Sequence, residues 1–365
     1  MTGGLDRRLE RVQGAISGLL GATLPREMRR PGEMQLRWRG QRFAPAELAQ
    51  VVRRQPPRKD VVFHIHGLMR DESCWHAATF DMAGAFEADL DVIAVDVRYD
   101  SGRPVSENGR DLAALLEALF TAVGEIRGRW HIVAHSMGGL VSRSGLHQAE
   151  QAGMTFTRSI DRVVLLGTPN RGARLEQGVE MAAVALELAL PVLRTTARGV
   201  RGLLTCVRVG KAAPLAPVAA MTDLFVEAVP SFFVRLAGRV LDLRSDGIRD
   251  LRHGRMLREE GEQRPRGLER RRRPVPPPPG ARTYAVAGSL SKRTGGTRLA
   301  RATDGLVSAA SAANAGDDEL RITESGRFRL LPGVGHLAMP RSREVYRTLR
   351  GWFAEDAEPR ESAVT

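Results

Sequence analysis

The chain has 365 residues, 42% of them hydrophobic and 27% charged, which excludes whole-chain disorder and collagen-like fibre and leaves two ordinary domains or one enlarged α/β domain. Lys plus Arg number 55 against 42 Asp plus Glu, a net charge of +13. The excess is arginine, with lysine only at Lys59, Lys211 and Lys292. No zinc-finger spacing, basic region with heptads or RNA-binding aromatic signature accompanies it, so no nucleic-acid partner is expected. Two cysteines, Cys74 and Cys206, cannot staple a disulfide scaffold.

Residues 1–55 read as an N-terminal helical extension. Its apolar stretch, 15–24, is broken by glycine and lacks a clear cleavage site, and no apolar run in the chain approaches the roughly 18 residues of a membrane span. A cytoplasmic location is therefore expected. Residues 60–67 form a short apolar run ending in glycine, and 90–99 a second, both with the look of buried strands. Leu112, Leu115, Leu116, Leu119 and Phe120 have helical spacing. A third strand is expected at 129–134 with a helix starting just after Ser136, and a fourth at 162–167. This alternation predicts a mostly parallel central sheet flanked by helices.

The rhythm stops at residue 170. Residues 170–280 carry two apolar segments, 181–193 and 212–243, then an arginine-dense stretch, 249–273, and a proline connector, 274–279. An insertion of about a hundred residues is too long for an ordinary loop and is expected to be a cap or lid. Strands resume at 281–288 and 327–331, and an amphipathic helix at 341–354 closes the chain. The core is thus expected over 56–169 and 281–357.

The chemistry concentrates in a few places. In Ala134-His-Ser136-Met-Gly138-Gly139 a serine sits between a strand and a helix, with small residues two before and two after it. A sharp strand-to-helix turn needs that spacing, because larger side chains would collide across it, and the turn lifts the hydroxyl out of the sheet. The helix start at Met137 offers free N–H groups for a developing oxyanion. The plainer alternative is a serine that only caps a helix.

A serine nucleophile needs a base oriented by a carboxylate. His336, in Gly333-Val-Gly-His-Leu337, follows two glycines just past the last expected strand, where core packing explains it poorly. Asp304, in Thr303-Asp-Gly-Leu-Val307, follows a core strand, although an Asp-Gly pair is also an ordinary turn. Asp246, in a similar Asp-Gly context, is the rival acid but lies inside the insertion. The order serine, acid, histidine, each after a strand, agrees with the choice of Asp304. Gly67 allows close backbone approach, so the N–H of Leu68 can become the second oxyanion donor beside that of Met137. His64 and His66 share a strand face, but no third ligand accompanies them, so neither metal nor cofactor is expected.

Together, Ile65-His-Gly-Leu68, Ala134-His-Ser-Met-Gly-Gly139, Leu166-Gly-Thr-Pro-Asn170, Asp304-Gly-Leu-Val307 and Gly335-His336 resemble an α/β-hydrolase of the lipase and carboxylesterase kind. The chain is similar to bacterial triacylglycerol lipases and to deacylases that remodel glycosylphosphatidylinositol anchors. The resemblance implies Ser136 as nucleophile, His336 as general base, Asp304 as its orienting acid, and an ester substrate, with a lipid as one candidate. Alanine at 134 departs from the usual glycine, and the arginine-rich insertion matches no family pattern. The same triad also supports acyl transfer to an acceptor other than water. From a different class, the arginine-rich segment invites a reading as a lipid-surface binder on anionic membranes. Five acidic residues within that segment weigh against it.

Overall fold

The computed structural model describes residues 33–56, 59–124, 128–172, 250, 256–257, 275–292, 302–315, 320, 322 and 326–354. The apolar segments 181–193 and 212–243, the rival acid Asp246 and most of the arginine-rich stretch lie outside the described residues.

Among the described residues, ten strands appear: β1 (Gln35–Trp38), β2 (Gln41–Phe43), β3 (Val61–Ile65), β4 (His76–Ala77), β5 (Phe80–Asp81), β6 (Ile93–Arg98), β7 (Trp130–His135), β8 (Ile160–Leu166), β9 (Arg282–Ser289) and β10 (Phe328–Pro332). Eight of them make one sheet in the order β10-β9-β8-β7-β3-β6-β1-β2. The neighbours from β6 to β10 are all parallel, and β1 runs antiparallel to both β6 and β2. Helices cover both faces: α1 (Pro45–Arg53), α2 (Met82–Leu90), α3 (Val105–Val123), α4 (Met137–Gln151), the short α5 (Ala309–Ala312) and α6 (Arg343–Ala354).

The strand period of two sends alternate residues to opposite layers. Phe63, Ile65, Ile132 and Ala134 join Leu48, Leu112, Leu116 and Leu140 of α1, α3 and α4 in one core. Val62, Val133, Val164 and Leu166 face the other way, against Phe86 of α2 and Val345, Leu349, Trp352 and Phe353 of α6. Strands buried on both faces read as continuous apolar runs. The architecture is the α/β-hydrolase fold, a mostly parallel sheet between two helical layers.

One expectation needs correction. Within 1–55, read as a helical extension, the described residues 33–55 hold a β-hairpin, Gln35–Phe43, that extends the sheet edge, beside the helix α1. Trp38 pairs with Gln41 across a two-residue turn in which Arg39 and Gly40 both have positive φ, 49° and 77°. That conformation matches the right-handed twist of a hairpin. A charged residue hides the strand pattern: Arg37 is buried and ion-paired with Glu72 at 3.2 Å.

Candidate active site

Ser136 stands at the end of β7, the strand between β3 and β8, and directly before α4. Its φ of 54° and ψ of −122° lie in a region that non-glycine residues avoid. Its N–H still donates to Leu166 O at 2.8 Å, so the backbone stays on the sheet ladder while the side chain is turned out. The small residues around it have steric reasons. A Cβ on Gly138 would lie 2.5 Å from the carbonyl oxygen of Ile65, and one on Gly139 would overlap the Thr168 side chain. A Cβ on Gly67 would sit 3.1 Å from the Ser136 Cβ, so the loop after β3 passes directly over the serine. Ala134 is buried in the core without conflict, which explains why the turn tolerates it.

His336 Nε2 lies 2.8 Å from Ser136 Oγ, and His336 Nδ1 lies 2.8 Å from Asp304 Oδ2. All three residues are buried, at 6%, 5% and 3% exposure for Ser136, His336 and Asp304. The other carboxylate oxygen of Asp304 accepts the N–H groups of Leu306 at 3.0 Å and Val307 at 2.8 Å. The His336 N–H also donates to Asp304 O at 3.0 Å, so the two loops are tied through backbone as well as side chain. The three side chains singled out from the sequence, 200 residues apart at the extremes, thus meet in one hydrogen-bonded row. Such a row can pass the serine proton to an imidazole whose opposite nitrogen is held by a carboxylate.

Leu68 follows Gly67 in the loop over the serine, and Met137 is the first residue of α4. The first N–H of a helix has no acceptor within the helix.

Two residues near the row were not anticipated. His135 Nε2–H donates to the backbone carbonyl of His336 at 3.0 Å, and the two rings lie 4.8 Å apart. Burial, with His336 beside it, holds His135 well below the ordinary histidine range. Gly167, at φ 55°, borders the row, since a Cβ there would sit 3.1 Å from both His336 Nδ1 and Asp304 Oδ2. Its glycine stood in the sequence immediately after a strand, which was the available signal.

His64 and His66 have separate surroundings. His64 packs between Trp75 and Phe86, with centroids at 5.1 and 5.4 Å, and burial pushes it down to about 3. His66 stacks on Tyr99. Among the described residues, no group of three or more His, Cys, Asp or Glu is placed to hold a metal ion. No helix among them is long and apolar enough to cross a membrane.

Asn170 and Val275 are both tied to α4. Arg143 donates to Asn170 Oδ1 at 3.0 Å and to Val275 O at 2.9 Å.

Among solved structures, the chain is similar to a Bacillus licheniformis lipase in mature form, with 18% identity over 82% of this chain and 93% of that one, at a TM-score of 0.47. It is also similar to a thermophilic esterase from Thermogutta terrifontis, with 16% identity over 82% and 91% of the two chains and a TM-score of 0.38. A proline iminopeptidase from Mycobacterium smegmatis gives 14% identity, 82% and 91% coverage and a TM-score of 0.35. No curated protein matches. A family model matches residues 28–244, more than half of the chain, and the chain belongs to that family, described as a domain of unknown function, DUF7379.

Proposed function

We propose that the protein is a serine hydrolase that cleaves carboxylic esters through an acyl-enzyme on Ser136. The observation that carries this reading is the row Ser136 Oγ, His336 Nε2, His336 Nδ1, Asp304 Oδ2, with 2.8 Å at each contact between residues. Ser136 gives its proton to His336 Nε2 as its oxygen bonds to the ester carbonyl carbon. Asp304 accepts the Nδ1–H and stabilises the imidazolium that forms. The carbonyl oxygen becomes an oxyanion, held by the N–H groups of Leu68 and Met137. The imidazolium then protonates the leaving alcohol. Water, deprotonated by His336, attacks the acyl-enzyme and releases the acid.

Residues 170–280 are read as a cap over this site. The attachment of Asn170 and Val275 to the same arginine supports an excursion that leaves and rejoins the core at neighbouring points. The test is turnover of p-nitrophenyl esters. The wild type should hydrolyse them with a burst of nitrophenol, and Ser136→Ala should not. Equal turnover by the two proteins would refute the reading.

A further inference from the structure

Beyond the end of the β3–β6 pairing, where Ile65 meets Val97, the two following loops remain bonded to each other. The Tyr99 N–H donates to His66 Nε2 at 3.2 Å, and the Tyr99 hydroxyl donates to the His66 carbonyl at 2.9 Å. Their rings stack with centroids 4.3 Å apart and planes 14° from parallel. The histidine is fixed in one tautomer, because its Nε2 accepts from Tyr99 while its Nδ1–H donates to Gly67 O at 2.9 Å.

Two residues further on, the Met69 N–H donates to Ser101 Oγ at 2.9 Å. Met69 has a φ of 56°, a left-handed conformation that a methionine does not adopt without external support. Ser101, only 2% exposed, supplies that support from the loop after β6. Leu68 therefore sits between two residues, His66 and Met69, each held by the Tyr99–Ser101 loop. The same loop segment passes over Ser136 at Gly67.

We propose that Tyr99 and Ser101 are positioning residues that hold the Leu68 N–H aimed at the oxyanion. This inference rests on the proposed serine hydrolase reading. An oxyanion donor acts only when it is held at hydrogen-bond distance from where charge develops, so loosening its loop lowers turnover without altering ground-state binding. Tyr99→Phe removes the hydroxyl bond to His66 and keeps the stacked ring. Ser101→Ala removes the acceptor for Met69, and Ser101→Thr keeps a hydroxyl. Tyr346 provides the control, because its hydroxyl also donates to a backbone carbonyl, Ala85 O at 2.9 Å, but from α6.

The experiment measures kcat and KM on a p-nitrophenyl ester, together with inhibition by a trifluoromethyl ketone, whose serine adduct carries the oxyanion. Tyr99→Phe and Ser101→Ala should each lower kcat about 5- to 50-fold, a fraction of the loss from deleting a donor outright, with KM within about twofold. Ketone affinity should fall in parallel. Ser101→Thr should recover most of the loss, and Tyr346→Phe should stay within about twofold of wild type. Unchanged kcat in both Tyr99→Phe and Ser101→Ala, or a kcat loss without a loss of ketone affinity, overturns the proposal. Should Ser101→Ala misfold, Tyr99→Phe against Tyr346→Phe decides. Turnover by Ser136→Ala overturns the hydrolase reading itself, which a wild-type-like Tyr99→Phe does not.

Discussion

Asparagine at position 304 tests the orienting acid, and the structure dictates which way its amide would face. One oxygen of Asp304 accepts two backbone N–H groups, from Leu306 and Val307, and the other accepts the Nδ1–H of His336. An asparagine keeps its carbonyl toward the two N–H donors, since turning its NH₂ to them would set donor against donor twice. Its NH₂ then faces His336 and forces Nδ1 to accept, which places the imidazole proton on Nε2. That nitrogen can no longer take the Ser136 proton. A wrong-tautomer histidine in a serine triad costs about ten-thousand-fold in kcat, or about 5.5 kcal/mol of transition-state stabilisation. The shape is conserved, so the melting temperature should move by no more than about 3 °C. The assay is steady-state hydrolysis of a p-nitrophenyl ester at neutral pH, with thermal melting on the same preparations. An Asp304→Asn variant that keeps more than about a tenth of the wild-type kcat would refute the argument. Asp246→Asn, run in parallel, should leave kcat within about twofold; a collapse there would transfer the role to the rival acid.

Gly138→Ala should destabilise the fold by about 1–3 kcal/mol, because its Cβ meets the Ile65 carbonyl at 2.5 Å at the end of β3, and urea unfolding reads this directly. A shift in stability below about 0.5 kcal/mol would contradict the steric account of the turn. Phe353→Ala should cost about 3–5 kcal/mol, since the ring packs on His131, Arg162 and Phe86 at 5.0 to 5.2 Å, while kcat of the folded fraction should stay unchanged. His76 bonds to Asp96 at 2.7 Å and Asp81 at 3.0 Å, and those carboxylates, Asp96 first, raise it from 6.5 to about 9. A raised folded-state value means its stabilisation is complete below about pH 6.5 and is lost as pH rises toward about 9. With a third of the ring exposed, the effect should be about 1 kcal/mol, or about 2–4 °C in melting temperature between pH 6 and pH 9.5, and His76→Gln should flatten it.

The central strands and the serine turn were legible because each obeys a local rule. Val61–Ile65 and Ile160–Leu166 are buried on both faces and, apart from His64, Asp161 and Arg162, are apolar. The turn at Ser136 needs small neighbours whatever the rest of the fold does. Asp304 was less legible, because an Asp-Gly turn looks the same with or without a histidine beside it, and its role depends on a contact with a residue 32 positions away. The hairpin at Gln35–Phe43 was missed because the buried Arg37 is paired with Glu72, a compensation invisible along the chain. His66 could be weighed as a metal ligand only while its partner was unknown. Its bonds to Tyr99, 33 residues later, come from parallel pairing of β3 with β6, which no local pattern announces. The brace from Ser101 to Met69 was hidden for the same reason.

The most direct measurement is intact-mass and peptide mapping after exposure to a fluorophosphonate probe. The account predicts a single adduct per chain, located on Ser136, absent from Ser136→Ala and strongly slowed in His336→Ala. An adduct on another residue, or undiminished labelling of Ser136→Ala, would contradict it.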